Sequence, residues 1–183
     1  MLSPITVRPA TKDDVPAIAR VHVASWHATY EGLIPQSLID SYTVERRETQ
    51  WEKHLASDEY VTYVAEKDSI VIGFAMASWG ESAYGVEYME RAKLWTLYLL
   101  KEAQGLGVGR DLICAVARDI VSRGHNAMSL CVLSSNPARA FYEHLGAHYV
   151  RDHAFQIGDG TWADAEYVFA DLQALTRRPT RLP

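Results

Sequence analysis

The sequence is short of cysteine, of long apolar runs and of surplus positive charge, and each shortage removes a class of protein. Only Cys114 and Cys131 occur in 183 residues, one in a predicted helix and one in a predicted strand, both among apolar neighbours. Two small buried thiols indicate a reducing, cytoplasmic setting and not a disulfide framework. No apolar segment is long enough to cross a membrane, and "MLSPITVRP" lacks the basic region and apolar core of a signal peptide. The formal net charge of −5 argues against a nucleic-acid partner, whose binding runs on phosphate neutralisation, and suits a cationic substrate. The seven histidines do not form a metal site. His22 and His27 leave a common helix face, Gly146 separates His144 from His148, and no Cys/His cluster has zinc spacing. Repeats, low-complexity blocks and linkers are absent too, so 1–175 reads as one domain and 176–183 as a flexible basic tail.

What is present is an alternation of short elements. "ITVRPA" reads as a strand, followed by a helix capped at Thr11 or Asp13 with an apolar stripe through Val15, Ile18, His22 and Trp26. "GLIP" breaks that helix; "QSLIDSY" and "TVERRETQWEKHL" give two more helical pieces. "EYVTYVAEK" and "IVIGFAMASW" form a hairpin across "DS", and "GESAYGVEYMERAK" reads as a loop. "LWTLYLL" and "AMSLCVLSS" are apolar on both faces, as covered strands are. Between them lies a helix, Val108 to Arg123, with Val108, Leu112, Val116 and Ile120 on one stripe and Gly124 to end it. A helix capped by Asn136 with Pro137 at its first position stops at Gly146. The last two strands flank "GDG". The expected fold is α/β (α+β): a mixed, mostly antiparallel sheet of about seven strands with helices on both faces.

The segment "QGLGVGRDL", Gln104 to Leu112, enters the second long helix straight from a strand. It is not a dinucleotide fingerprint, because the third glycine is replaced by Arg110 or Leu112 in either register. It is not a Walker loop either, because Gly109 is followed by Arg110 and Asp111 and not by lysine and a hydroxyl. There remains a helix N-terminus whose unpaired amides and dipole suit a pyrophosphate, or a glycine turn with no ligand.

"QGLGVG" resembles the acetyl-CoA turn of the GNAT superfamily of N-acetyltransferases, and "LYLLKEA" resembles the strand and lead that enter it. "NPARAFYEHLGA" resembles that superfamily's second characteristic segment, and "VRPATKDDVPAIARVHVASWHATYEGLIPQSLID" is similar to a bacterial branch that includes polyamine acetyltransferases. The resemblance implies transfer of acetyl from acetyl-CoA to an amine of a small molecule, whether polyamine-like, an amino acid or an antibiotic, or to an exposed peptide amine. The rival reading is a non-catalytic acyl-CoA sensor or scaffold. It further implies a splayed strand whose Leu99 amide polarises the acetyl carbonyl, with Leu97 and Leu100 contributing to the groove. Gln104, Gly105, Leu106, Gly107, Val108, Gly109 and Arg110 would take the pyrophosphate. Tyr142 matches the usual general acid, and its position in the motif favours that role over an aromatic core residue beside Phe141. Asn136 either caps its helix or also bonds the cofactor arm; Arg110 and Arg139 either meet CoA phosphates or are solvated. Trp26 and Tyr30 either wall the acceptor pocket or pack the core. Relatives often place a basic glutamate where this chain has Lys93. Glu87 and Glu90 are upstream substitutes, and Glu81 and Tyr84 share their loop, so no base is assigned. Family habit points to a homodimer.

Overall fold

A computed structural model of the chain describes residues 3–79, 92–157 and 160–177. Seven strands, β1 Thr6–Pro9, β2 Tyr60–Lys67, β3 Ile70–Ser78, β4 Ala92–Leu99, β5 Met128–Leu133, β6 His148–Ile157 and β7 Gly160–Phe169, form one sheet in the order β1-β2-β3-β4-β5-β7-β6. Every neighbouring pair is antiparallel except β4 and β5. The helices of the described residues are α1 Val15–Tyr30, α2 Gln36–Asp40, α3 Val44–Ala56, α4 Val108–Ser122, α5 Arg139–His144 and α6 Leu172–Arg177. This is the mixed, helix-covered sheet that the element order implies.

The alternation of a strand sends successive side chains to opposite faces, and β3 shows the consequence. Phe74 and Met76 pack with α1 and α3 around Ile18 and Trp51, while Ala75 and Ala77 pack against Leu112 and Val116 of α4. Both faces are covered, so Val71 through Ser78 is buried without a break. The β2–β3 turn is Asp68–Ser69, both at positive φ. The stripe of α4 falls where its four-residue repeat places it, and Gly124 at φ +91° ends the helix.

Three expectations need correction. Thr11 caps not α1 but a 3-10 turn, Lys12–Asp14, that leads into it. There Asp14 bonds the Thr11 amide at 2.7 Å and takes both Arg8 nitrogens at 2.8 Å, tying the turn to β1. The helix opened by Asn136 starts later, at Arg139, because residues 137–138 form a tighter turn; Asn136 still accepts the Ala138 amide at 2.9 Å. Cys131 is exposed, unlike the buried Cys114, since the sheet opens beside it. The loop bearing Glu81, Tyr84, Glu87 and Glu90, and the tail from 178 onward, lie outside the described residues.

Candidate active site

The site begins with a fault in the sheet. Opposite the step from Met76 to Ala77, β4 carries one extra residue, Trp95, a β-bulge. Beyond it β4 leaves β5: their pairing ends at Leu94↔Leu130. The strand's amides then sort by direction. The Leu100 amide bonds the Ile72 carbonyl at 2.9 Å, so the amides of Tyr98 and Thr96 also face β3, and those of Leu97 and Leu99 face the opening. Ser25 of α1 donates to the Leu99 carbonyl at 3.0 Å and holds the strand at that point.

The opening widens into a cavity of about 930 Å³. Its second wall is the start of α4. Gly105 and Gly107 sit at φ +72° and +85°, a backbone that costs other residues about 1–2 kcal/mol. The turn they make leaves the amides of residues 105–110 without an acceptor among the described residues. Gln104, Leu106, Gly109 and Arg110 line the cavity beside them, while the Val108 side chain is buried in the core and offers only its amide. Gly109 is small for a reason: a Cβ there would stand 3.1 Å from Phe141 and 3.3 Å from Leu99. Unpaired amides at a helix N-terminus form an anion site, and those of Leu97 and Leu99 extend it along the strand.

Tyr142 of α5 lines the cavity and is 9 % exposed. Burial pushes its pKa up, and the nearby Tyr30 hydroxyl adds to the effect. Burial likewise raises Tyr98 and Tyr30, whose hydroxyls interact with each other. Three protonated phenols therefore meet at one place. Tyr142 can donate a hydrogen bond to a thiolate, whose free pKa is about 8.5. Asn136 lines the cavity from the same segment.

Other sequence candidates are placed elsewhere. Leu100 is outside the lining, its amide spent on β3. Arg139 turns toward β7, where it donates to the Tyr167 hydroxyl and the Ser134 carbonyl, each at 2.9 Å. Trp26 packs at a tilt against Tyr30, with ring centroids 4.2 Å apart, and does not itself line the cavity. Lys93 lies over the Trp95 ring at 4.2 Å. Sequence reasoning misses Trp95, Thr96, Tyr98 and Cys131, all of which line the cavity, because a bulge is a relation between strands that neither strand carries alone. Asp164 of β7 lies outside the lining and shares a strand face with Glu166, as their spacing of two dictates.

A model of the acetyltransferase (GNAT) family matches residues 25–147. The Bacillus subtilis (strain 168) protein YuaI, described as an uncharacterized N-acetyltransferase, is 31% identical over 171 residues, spanning 93% of this chain and 96% of that one. The PaiA N-acetyltransferase of Thermoplasma acidophilum, solved with coenzyme A, superposes with a TM-score of 0.72 at 22% identity, covering 89% of this chain and 98% of its own. YncA of Salmonella typhimurium, solved with acetyl-CoA, gives a TM-score of 0.69 at 21% identity over 99% and 98% of the two chains. The two solved structures establish likeness of fold; the family match and the B. subtilis relative go further, and the chain belongs to the acetyltransferase (GNAT) family.

Proposed function

We propose that the protein is an acetyl-CoA-dependent N-acetyltransferase that moves acetyl directly to a primary amine of a small molecule or an exposed peptide. The observation that carries this reading is the convergence of two sets of unspent amides, residues 105–110 and Leu97 with Leu99, on one cavity that also holds Tyr142. Acetyl-CoA supplies the activated acyl group. The amides at the start of α4 bind its pyrophosphate. The Leu97 and Leu99 amides align its arm, and the Leu99 amide stabilises charge growing on the carbonyl oxygen, a preorganised contribution that needs no particular side chain. Tyr142 meets the departing sulfur. Tyr30 lines the cavity from the end of α1, the side on which this reading places the acceptor, and the polyamine-like class is one candidate among amines.

Acetyl-CoA at about 100 times its Kd stabilises a binding protein by about 2.7 kcal/mol, which at this chain length raises the melting temperature by about 5–10 °C. Thermal unfolding with and without acetyl-CoA measures that shift, and thiol release across polyamines, amino acids, aminoglycosides and peptides measures transfer. Tyr142→Phe lowers kcat by about 10²-fold with the acetyl-CoA affinity kept. No thermal shift and no thiol release with any amine would defeat the reading.

A further inference from the structure

Asp164 of β7 lies two residues from Trp162, so both side chains share one face of the strand. The Trp162 indole N–H donates to the Leu33 carbonyl at 3.2 Å and presses that face against the turn after α1. Tyr30, the last residue of α1, lines the cavity there. Across the sheet Asp164 pairs with Leu133 of β5 and His153 of β6. The titratable and charged groups around it are Tyr30 from α1, Lys93 from β4, Cys131 from β5, Arg151 and His153 from β6, and Glu166 on its own strand.

The two carboxylates of β7 are treated differently. Glu166 is 2 % exposed and receives Arg151 at 3.0 Å and His153 at 2.8 Å. Asp164 is half-buried, yet no described residue gives it a hydrogen bond or an ion pair. A carboxylate that has lost part of its water without gaining a donor is destabilising. Burial holds its pKa above the ordinary value, against the pull of Lys93 and His153. Asp164 does not itself line the cavity, but Tyr30 and Cys131, which feel its charge, do, and a ligand entering beside them can complete its hydrogen bonding.

We propose that Asp164 is the carboxylate that receives the acceptor amine and removes its proton as acetyl is transferred. The inference rests on the acetyl-transfer reading above. An alkylammonium of pKa about 10.4 does not yield its proton to a carboxylate, so the amine enters neutral, its first proton left in water. As the nitrogen lone pair forms the C–N bond, the C–S pair departs on sulfur. Nitrogen becomes acidic at that moment, and its surplus proton passes to Asp164 while the Tyr142 proton goes to sulfur. The Tyr30 hydroxyl, which lines the cavity with Tyr142 and feels the charge of Asp164, returns the proton from one to the other. Amine and thioester give amide and thiol, and both side chains are reset.

Thiol release from acetyl-CoA tests this, with hydroxylamine and 1,4-diaminobutane as acceptors, for the parent, Asp164→Asn and Asp164→Glu. The Asn variant is expected to lose about 10²-fold in kcat and the acidic limb of its kcat–pH profile. The Glu variant recovers part of the rate. Calorimetric acetyl-CoA affinity stays within twofold of the parent, since the carboxylate has no internal bond to lose. An Asn variant with parental kcat and an unchanged pH profile overturns the proposal and leaves acetyl transfer standing. A parent that binds acetyl-CoA but acetylates neither amine overturns it as well, and a failure to bind acetyl-CoA removes both readings together.

Discussion

His22 is a base kept neutral by its surroundings. It is 4 % exposed, its Nδ1 accepts the Trp51 indole N–H at 3.1 Å, and its ring stacks on Tyr98 at 4.9 Å. Burial, with the charges of Arg47 and His54, pushes its pKa down to about 3. The unfolded chain takes up a proton near pH 6.5 and the folded chain does not, so this residue's contribution is complete above pH 6.5 and lost as pH falls toward 3. At pH 5 the loss from His22 alone is about 2 kcal/mol, to be read from urea midpoints at pH 7 and pH 5. A midpoint independent of pH over that window contradicts a neutral buried imidazole. At this scale the sequence is readable where chemistry is local. The glycines of "QGLGVG" announce their turn because positive φ is a property of single residues. Asp164 does not announce itself, since its meaning depends on Trp162 meeting Leu33 from the far end of the chain.

Elements are legible to the extent that their period is. The four-residue repeat of α4 and the paired strands around Asp68–Ser69 are recovered from pattern alone. α6 is hidden because one turn and a half shows no period, although Asp171, which accepts the Ala174 amide at 2.9 Å, signals its start. The bulge at Trp95 is illegible for a different reason: "LWTLYLL" looks continuous, and the extra residue exists only against β3. The β2–β3 turn also carries a testable strain. Asp68 and Ser69 lie at φ 52° and 62°, the region that two-residue hairpins require and that Asn-Gly fills best. Relief of about 1–2 kcal/mol at Ser69 is offset by the extra freedom that glycine gives the unfolded chain, about 0.4–1 kcal/mol. The double variant Asp68→Asn/Ser69→Gly is therefore expected to gain about 0.5–1 kcal/mol in urea unfolding, with cavity chemistry untouched. A loss of stability means that the two side chains hold the turn by contacts that outweigh the strain.

Across the whole molecule, the sheet is two blades joined at a weak seam. Among the described residues, the β1–β4 blade meets the β5–β7–β6 blade through three registered pairs, Ala92↔Met128, Lys93↔Ser129 and Leu94↔Leu130, with α4 packed across both. In the proposed reading a cofactor arm in the opening would take the place of the missing pairing, so its binding should be felt as a local change in backbone protection. Leu97 and Leu99 give the sharpest reading because their neighbours act as controls. Their amides face the opening, whereas those of Tyr98 and Leu100 are bonded to β3 whether or not the cavity is filled. In hydrogen exchange followed by NMR, coenzyme A is expected to slow Leu97, Leu99 and residues 105–110 by about tenfold or more. Tyr98 and Leu100 should change far less, and the β1–β2 amides, at the far edge of the sheet, should not respond. Uniform slowing along β4 would indicate a general stiffening of the fold. Slowing confined to 105–110 would mean that the phosphates are held while the arm leaves the opening, and the Leu99 amide could then have no part in polarising the thioester.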